Sequence, residues 1–520
     1  MRKHVSSFIL TLALALPVFA FSFQTSTAAS RSGPESTPTP TPTASPAGTP
    51  SIESLQGAIR SRLFSTEALR SRVGIKIVSL STGKVVFEND AEKYFMPASN
   101  MKNFTVAAAL ERLGPDFRFV TSVYAGSLPD QSGTIRGDLR ILDRGDVSFS
   151  TLFDNGDYYK GLDDLADKII AAGVKRIEGS LVADESYFRG NPIPVSWEWD
   201  DLQWDDGAEV SPFPINNNAV DLNVRGGSSG QPCVVSLLPL NALYQIANTC
   251  TTTATGTKRS LSVKKSLEKN SVVISGTMPA GDSFTGYLSV SHPAELFVAL
   301  LKERLEKKGV VITGGARTLP TDATSPNTSL EIAKRESPPF SRVAALTMKP
   351  SQNMFTEVIL RTMGEELGRK AGGSGESAPL GISIVKAFLN TAGIAADSVV
   401  QYDGSGLSRH NLVSPSAVVQ LYSYMAKSRY SQTWRDSLTI GGVDGTLRNR
   451  FKGTAAAGNI RGKTGTLDQV SALSGYVTTA AGEQLIVSII VNGMPEPPKR
   501  VALIDDIILR LANFTGRIDQ

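Results

Sequence analysis

Ser99 and Lys102 are the two residues whose types and spacing most directly suggest chemistry. They lie three positions apart in a P-A-S-N-M-K stretch, and the run that follows predicts a helix to about Leu113, where Gly114 and Pro115 end it. Residues three apart share one face of a helix, so the lysine amine can reach the serine hydroxyl. A partly desolvated lysine can lose its proton near neutral pH and act as general base toward a serine. The spacing alone is weak, because an ordinary helix start explains it equally well.

Histidine is scarce in this chain, which bears on the identity of the base. Only His4, His292 and His410 occur, and His4 precedes an apolar run at the start of the sequence. The chain therefore offers few candidates for the histidine of a Ser-His-Asp triad, and lysine is the usual substitute for histidine as the base. We expect His292 and His410 to be structural or surface residues rather than catalysts.

Two further short motifs follow the S-x-x-K pattern in the chain. An S-x-N motif, Ser351 to Asn353, precedes a run over 354–367 with apolar residues at helical spacing, which predicts that Asn353 points inward. A K-T-G-T motif begins at Lys463, ahead of two strand-like runs at 472–478 and 484–492 that predict a hairpin.

The order S-x-x-K, S-x-N, K-T-G resembles the penicillin-recognising enzymes, which are the penicillin-binding proteins and the serine β-lactamases. Ser99 and Ser351 are 252 residues apart, and 112 residues separate Ser351 from Lys463. The long first interval resembles the class C low-molecular-mass penicillin-binding proteins, the D-alanyl-D-alanine carboxypeptidase/endopeptidase family. The D-G-S-G-L-S-R-H stretch at 403–410 is also close to one typical of that family.

The resemblance implies a fold of the α/β (α+β) class. A penicillin-recognising, transpeptidase/β-lactamase-like domain, with an antiparallel sheet flanked by helices, would carry a large inserted β-rich region of one or two domains. Strand-rich patterns at 120–141 and 177–188, with a helical pattern at 161–173 between them, fit such an insertion.

The resemblance also implies catalytic roles for five residues. Ser99 would attack the carbonyl carbon of the penultimate D-Ala, Lys102 would take its proton, and Ser351 would relay a proton to the leaving D-Ala nitrogen. Asn353 would bond the peptide amide on the acyl side, and Lys463 would supply positive charge. The backbone amides of Ser99 and of the last residue of the K-T-G-T motif would stabilise the oxyanion.

Four further residues are predicted to bind substrate. The hydroxyls of Thr464 and Thr466 would hold the terminal carboxylate, and Gly465 would let the backbone approach the substrate closely. In this family an acidic residue of the inserted domain meets the free amine of the diamino-acid side chain. Its position in a V-A-D-E-S-Y-F stretch makes Asp184 the candidate.

The sequence predicts an exported protein with a divided domain. Basic residues at the start precede an apolar run that is short and proline-interrupted for a bilayer span, and a Pro/Thr-rich stretch follows it. An uncleaved N-terminal anchor is the alternative interpretation, and it too places the rest of the chain outside the cytoplasm. The predicted segments are a signal peptide at 1–29, a linker at 30–50, a transpeptidase-like domain at 51–115 and 316–520, and the insertion at 116–315.

Composition excludes several classes of partner. With 53 Lys and Arg against 49 Asp and Glu, the formal charge is +4 and no basic block appears, which argues against nucleic acid. Two cysteines and three histidines, none at ligand spacing, predict no metal and no cofactor. Cys233 and Cys250 could form a disulfide in an oxidising compartment or remain two free thiols, and the sequence does not decide between them.

The predicted enzyme is a serine-type D-alanyl-D-alanine carboxypeptidase of the periplasm or extracytoplasmic envelope. Its substrate would be a peptidoglycan stem peptide ending in D-Ala-D-Ala, with β-lactams as covalent inhibitors and a DD-endopeptidase activity left open. The alternatives are a β-lactamase and a non-catalytic penicillin-sensing or wall-binding protein. Two segments also have two interpretations each: the tryptophan-rich and acidic 197–206 is a hydrophobic plug or a recognition loop, and 403–409 is a structural turn or a substrate contact.

Overall fold

The computed structural model describes residues 50–239, 243–319 and 330–518. The predicted signal peptide and nearly all of the predicted linker lie outside the described residues. None of the helices in the described ranges has the length and apolar character needed to cross a bilayer.

Helices and short 3₁₀ turns alternate with strands along the chain. The helices are α1 (Ile52–Arg62), α2 (Thr66–Leu69), α3 (Met101–Arg112), α4 (Lys160–Ala171), α5 (Pro293–Lys307), α6 (Phe340–Met348), α7 (Asn353–Met363), α8 (Ser377–Thr391), α9 (Pro415–Lys427), α10 (Ser431–Ser437) and α11 (Pro497–Ala512). The 3₁₀ turns are Ala98–Asn100, Asp205–Gly207, Asn216–Asn218, Ala396–Ser398 and Gly445–Leu447. A π-helical segment, Gly364–Arg369, continues α7.

The strands number twenty-three in the described residues. They are β1 (Arg72–Ser79), β2 (Val85–Asn89), β3 (Val120–Ala125), β4 (Thr134–Arg136), β5 (Leu139–Asp143), β6 (Arg176–Glu178), β7 (Leu181–Asp184), β8 (Ala219–Arg225), β9 (Val234–Leu238), β10 (Gln245–Asn248), β11 (Thr251–Thr253), β12 (Ser260–Lys265), β13 (Ser271–Pro279), β14 (Ser283–Ser289), β15 (Val311–Ile312), β16 (Ala316–Leu319), β17 (Leu330–Glu336), β18 (Val399–Val400), β19 (Leu412–Val413), β20 (Thr439–Ile440), β21 (Arg461–Leu467), β22 (Val470–Thr478) and β23 (Gln484–Asn492).

A six-stranded antiparallel sheet forms the framework of the predicted transpeptidase-like domain. Its strand order is β2-β1-β23-β22-β21-β20, and the β22–β23 pair is the predicted hairpin. Both hairpin strands are buried on both faces, because α1 and α11 pack on one face while α3 and α9 pack on the other. The predicted fold class is confirmed, with the sheet flanked by helices as expected.

The chain between α3 and α6 forms a separate group of sheets with its own apolar core. A mixed five-stranded sheet has the order β16-β7-β5-β3-β17, with α4 and α5 packed nearby, and smaller sheets complete the region. Strands β16 and β17 pair with β7 and β3, so this sheet continues past the predicted boundary at residue 315 to Glu336. The sequence pattern did not show this, because a strand's sheet is decided by its partner and not by its own residues.

Cys233 and Cys250 are joined by a disulfide in the inserted region, with their Cα atoms 5.3 Å apart. Both residues belong to the apolar core of that region. Of the two interpretations left open by the sequence, the structure therefore contains the bridge. A link across this separation stabilises a fold mainly by restricting the unfolded chain.

Candidate active site

The predicted nucleophile lies on a strained turn at the start of α3. Ser99 is the middle residue of the 3₁₀ turn, and the residue before it, Ala98, has a left-handed φ of +47°. Such a conformation costs a non-glycine residue about 1–3 kcal/mol and is typical of functional sites. Asn100 holds the turn against the sheet, because its side-chain amide donates to the Lys463 carbonyl at 3.1 Å.

Gly465 is required by this same contact between turn and strand. A Cβ atom at Gly465 would lie 2.6 Å from the Pro97 carbonyl oxygen and 3.2 Å from the backbone nitrogen of Asn100. Close approach of this backbone to the substrate stays a prediction. The structure adds a local reason for the glycine, which is the close approach of β21 to the turn that carries Ser99.

Lys102 is fully buried, and its amine has three hydrogen-bond partners. Its Nζ lies 2.9 Å from Ser99 Oγ, 2.6 Å from Asn353 Oδ1 and 2.8 Å from the carbonyl oxygen of Ser405. A neutral amine has two N–H bonds and one lone pair. If the two N–H bonds point at Asn353 and Ser405, the lone pair faces the Ser99 hydroxyl, which is the arrangement a general base needs.

The surroundings of Lys102 bring the loss of its proton closer to physiological pH. Burial lowers the pKa of Lys102 from 10.5 to about 8, against the opposing effect of Asp403, Asp206 and Glu357. The three carboxylates therefore limit the fall in pKa, and the amine changes protonation state near pH 8.

Lys463, which is buried, and Ser351 form a second lysine–serine pair. We call the space between this pair and the pair of Ser99 and Lys102 the cleft. The Lys463 amine donates to Ser351 Oγ at 2.8 Å and to the Thr464 carbonyl at 2.9 Å. Burial, with a smaller contribution from Lys102, holds the pKa of Lys463 well below its ordinary value. Ser351 lies in the turn between α6 and α7 with a left-handed φ of +69°. Since its oxygen accepts from Lys463, its own proton is available for donation.

Asn353 joins Lys102 to the inserted region. Its Oδ1 accepts from Lys102, and its Nδ2 donates to the Asp206 carbonyl at 3.0 Å. The Thr464 hydroxyl donates to Thr446 Oγ1 at 2.7 Å, while Thr466 is exposed at the cleft. The structure thus groups Ser99, Lys102 and Asn353 by hydrogen bonds and pairs Ser351 with Lys463, whose strand β21 also carries Thr464, Gly465 and Thr466.

Asp184 is not part of this network. Its side chain is 2% exposed at the end of β7, where Arg140 donates to Oδ2 at 2.6 Å and the Ser186 amide donates to Oδ1 at 3.0 Å. These hydrogen bonds outweigh burial and lower the pKa of Asp184. Its described contacts are those of a structural ion pair, and they weaken the prediction that it binds substrate.

The carbonyl of Ser405 is the site component that the sequence did not reveal. It belongs to the segment 403–408, part of the stretch 403–409 for which the sequence leaves a structural turn and a substrate contact open. A backbone carbonyl carries no side-chain signature, so its contact with Lys102 had no direct sequence signal. The two glycines flanking Ser405 indicated a turn, and the structure shows that this turn directs the Ser405 carbonyl at the Lys102 amine.

The tryptophan-rich segment 197–206 lies against the same loop. The Trp197 indole donates to Asp403 Oδ2 at 2.9 Å and packs on the core, whereas Trp199 is 73% exposed. An ion pair joins Glu198 to Arg409 at 3.1 Å. Trp197 therefore acts as a hydrophobic plug, whereas Trp199 lies at the surface, and recognition of a ligand by this segment stays a prediction.

Comparison with known proteins shows the family to which the chain belongs. The family described as D-Ala-D-Ala carboxypeptidase 3 (S13) matches residues 55–513. The chain belongs to this family. It is 33% identical over 457 residues to the D-alanyl-D-alanine carboxypeptidase of Actinomadura sp. (strain R39), which covers 85% of this chain and 81% of that protein. The prediction of a serine-type D-Ala-D-Ala carboxypeptidase is confirmed.

Solved structures agree with the S13 assignment at the level of the fold. The crystal structure of penicillin binding protein 4 (dacB) from Haemophilus influenzae has a TM-score of 0.75 and 23% identity, covering 89% of this chain and 99% of that one. The same protein complexed with a novel β-lactam has a TM-score of 0.68 and 22% identity, covering 87% and 98%. Across the part of this S13 chain that the structure describes, no group of three or more His, Cys, Asp and Glu side chains could hold a metal ion.

Proposed function

We propose that this carboxypeptidase removes the terminal D-Ala from peptidoglycan stem peptides ending in D-Ala-D-Ala through an acyl-enzyme on Ser99. The observation that carries the proposal is the set of contacts at Lys102, whose amine meets the Ser99 hydroxyl and two fixed acceptors. This geometry leaves one orientation in which the neutral amine accepts a proton, and that orientation faces Ser99.

The reaction then follows from the positions of the two lysine–serine pairs. Lys102 takes the proton of Ser99 as Oγ forms a bond to the carbonyl carbon of the penultimate D-Ala, and the backbone amides of Ser99 and Thr466 stabilise the oxyanion. The carbon–nitrogen bond breaks as Ser351 donates its proton to the leaving D-Ala nitrogen, and Ser351 is reprotonated by the proton that Lys102 took from Ser99, so Lys102 is neutral again. In the second half, Lys102 takes a proton from water as the water oxygen bonds to the ester carbonyl carbon. Lys102 then returns that proton to Ser99 Oγ as the ester C–O bond breaks, which releases the shortened peptide.

Lys463 serves the terminal carboxylate of the substrate in this scheme. Burial disfavours the charge and lowers the pKa of Lys463. A bound carboxylate supplies the missing counter-charge, so substrate binding favours protonation of the Lys463 amine. The hydroxyls of Thr464 and Thr466 complete the carboxylate site on β21.

The segment 197–206 is a better candidate than Asp184 for binding the free amine of the peptide. Its Asp206 carbonyl contacts Asn353, so the segment borders the motif residues. Burial and repulsion from Asp200 and Glu198 raise the pKa of Asp201 to about 6, and a nearby ammonium group would relieve this repulsion. Acetylation of that amine on a test peptide is expected to raise KM, and an unchanged KM would contradict the assignment.

We also propose that the protein is exported and acts in the periplasm or extracytoplasmic envelope, with residues 1–29 as signal peptide and 30–50 as linker. The basic start, the apolar run and the Pro/Thr-rich stretch support this. Deletion of residues 1–29 should retain the protein in the cytoplasmic fraction. Export of the shortened chain would contradict the proposal.

The test of the proposed reaction combines a fluorescent penicillin with a D-Ala-D-Ala peptide. The wild type and a Ser61→Ala control, altered on the exposed face of α1, should be labelled stably and release D-Ala. The Ser99→Ala variant should do neither, and D-Ala release by that variant would overturn the proposal. Rapid β-lactam turnover would favour a β-lactamase, and labelling without peptide cleavage would favour a penicillin sensor. Digestion of cross-linked wall material, with the muropeptides resolved, tests endopeptidase activity at the same site.

A further inference from the structure

We propose that Glu357 is a positioning residue for the general base, because it holds the Ser405 carbonyl in place against the Lys102 amine. The inference rests on the proposed function, since it concerns Lys102 in its role as base. Glu357 touches neither Lys102 nor Ser99 in the described hydrogen bonds, and it acts through the backbone of one residue.

Glu357 belongs to a buried polar stripe on α7. Asn353, Glu357 and Arg361 follow one another at intervals of four residues and share one face of the helix. Asn353 contacts Lys102, Glu357 contacts the loop at 403–408, and Arg361 donates to the Asn191 carbonyl at 2.8 Å. The stripe therefore extends the S-x-N motif by two helical turns and connects α7 to the catalytic lysine, the loop and the inserted region in turn.

The contacts of Glu357 fix both peptide groups that lead into Ser405. Its Oε1 accepts from the Ser405 amide at 2.7 Å, and its Oε2 accepts from the Gly404 amide at 3.2 Å. The carbonyl of the same Ser405 residue accepts from Lys102 at 2.8 Å. One residue thus has its amide anchored to α7 and its carbonyl aimed at the base.

The other acidic residue of this cluster has a different task. Asp403 accepts from the amides of Gly406 and Ser408 at 2.8 and 2.7 Å and from the side chains of Asn411 and Trp197 at 2.7 and 2.9 Å. Asp403 therefore closes the loop on itself and on the inserted region. Glu357 is the carboxylate that attaches the loop to α7, with a second attachment from the Thr105 hydroxyl on α3 to the Gly404 carbonyl at 2.9 Å.

The chemical reason for such an anchor lies in the hydrogen-bond count of a neutral amine. Lys102 aims its lone pair at Ser99 only while both N–H bonds have acceptors in the right directions. Asn353 supplies one acceptor from a side chain, and the Ser405 carbonyl supplies the other from a glycine-flanked loop. Without the Glu357 anchor, the second acceptor could shift and the lone pair would turn away from Ser99.

The charge of Glu357 also bears on the protonation of Lys102. The charged groups that face Lys102 are Lys463 on β21, Asp403 in the loop, Asp206 in the inserted segment and Glu357 on α7. Burial and repulsion from Asp403 raise the pKa of Glu357 to about 7, against the opposing effects of its hydrogen bonds and Arg361, so Glu357 is ionised near pH 8, where Lys102 loses its proton. Since the negative charge of Glu357 raises the pKa of Lys102, its removal lowers that pKa.

The experiment compares Glu357→Gln, Glu357→Asp and a Glu365→Gln control in the full-length enzyme. Glu365 is also buried on the continuation of α7 and pairs with Arg369, away from the cleft. The measurement is kcat/KM for D-Ala release, and the rate of β-lactam acylation, from pH 6 to 10. In Glu357→Gln, the maximal kcat/KM reached at high pH (the plateau) is expected to fall roughly 10- to 100-fold, because the base is misplaced. The rise of kcat/KM on the acid side of the pH profile (the acid limb) is expected to move to lower pH.

The two other variants keep the result interpretable. Glu357→Asp retains the charge but withdraws the carboxylate by one methylene, so it should lose part of the plateau and leave the acid limb in place. Glu365→Gln should leave both unchanged. A folded Glu357→Gln enzyme with an unshifted acid limb, whatever its plateau, would overturn the inference, because a merely structural role would not move that limb.

Two further outcomes are distinguishable. If Glu357→Gln does not fold, Glu357→Asp decides: full activity in that variant would overturn the inference. An active Lys102→Met variant would defeat the proposed function itself, whereas an inactive Lys102→Met with a normal Glu357→Gln would defeat only the positioning role.

Discussion

The two sides of the cleft present the same pair of side chains in two electrostatic settings. On the helical side, formed by α3, α7 and the loop at 403–408, Lys102 meets Ser99; on the strand side, formed by β21 and the α6–α7 turn, Lys463 meets Ser351 at nearly the same distance. Three carboxylates support the charge of Lys102, whereas the influences on Lys463 are burial and repulsion from Lys102. Lys102 can therefore gain or lose a proton near pH 8, whereas no carboxylate of the described residues is among the influences on Lys463, and the substrate can bring one.

Replacement of Lys102 by Met should have the largest effect, because it removes the base and keeps the shape. General-base catalysis contributes about 10²- to 10⁴-fold, so kcat/KM for D-Ala release and the β-lactam acylation rate should both fall by that order. In the wild type, activity should rise with pH up to about 8, where the Lys102 amine becomes neutral. That rise should disappear in the variant.

Lys427→Met, on the exposed end of α9, is the control and should retain both rate and pH profile. A Lys102→Met enzyme with the wild-type pH dependence would show that the acid limb reports another group. The different electrostatic settings of Lys102 and Lys463 would then not explain which of them acts as the base.

Substitution of Gly465 by Ala tests whether the two sides must stay at their present separation. The new methyl group would press on the Pro97 carbonyl, where a Cβ lies only 2.6 Å away, and would push the Ser99 turn from β21. A displacement of about 1 Å can cost roughly 100-fold in rate, and we expect a loss of that order in kcat/KM.

Gly57→Ala is the matched control, since a Cβ there meets nothing within 4 Å. It should keep full activity and should not lower the melting temperature, because alanine is favoured over glycine inside a helix. Full activity in Gly465→Ala would mean that the turn and strand can move apart without loss of the oxyanion site.

Replacement of Lys463 by Met should give the smallest of the three effects, and one that depends on the substrate. Loss of a charged hydrogen bond costs about 1.5–3 kcal/mol, so kcat/KM for a peptide with a free terminal carboxylate should fall roughly 10- to 100-fold. A peptide ending in a carboxamide should be cleaved equally slowly by both enzymes. Equal losses on the two peptides would instead assign Lys463 to the proton relay through Ser351.

Much of the site followed from the sequence because its side chains lie at fixed helical or strand spacings. The i, i+3 relation of Ser99 and Lys102 predicts the contact that the structure contains, and the two strand-like runs after the K-T-G-T motif predict the β22–β23 hairpin. The long interval before Ser351 likewise indicated an insertion, and the structure has a separate group of sheets there.

Other features depend on partners that are distant in sequence. The V-A-D-E-S-Y-F stretch makes Asp184 a candidate for binding substrate, but that stretch does not show its ion pair with Arg140, which lies 44 residues away on the adjacent strand. No sequence motif includes Glu357, which stands among the apolar residues of α7. Its role depends on backbone amides 47 and 48 residues further along the chain. Backbone groups carry no residue signature, so such contacts become visible only in the folded molecule.

The pairing of β1 with β23 has a consequence for the time at which activity begins. Arg72 is paired with Asn492, and the neighbouring β22 also lies in the last tenth of the chain. The sheet that supports Ser99 and Lys463 therefore cannot close until nearly every residue has been synthesised and has reached the same compartment. We expect a ribosome-bound or partly translocated chain to be inactive even though Ser99 and Lys102 have long since emerged.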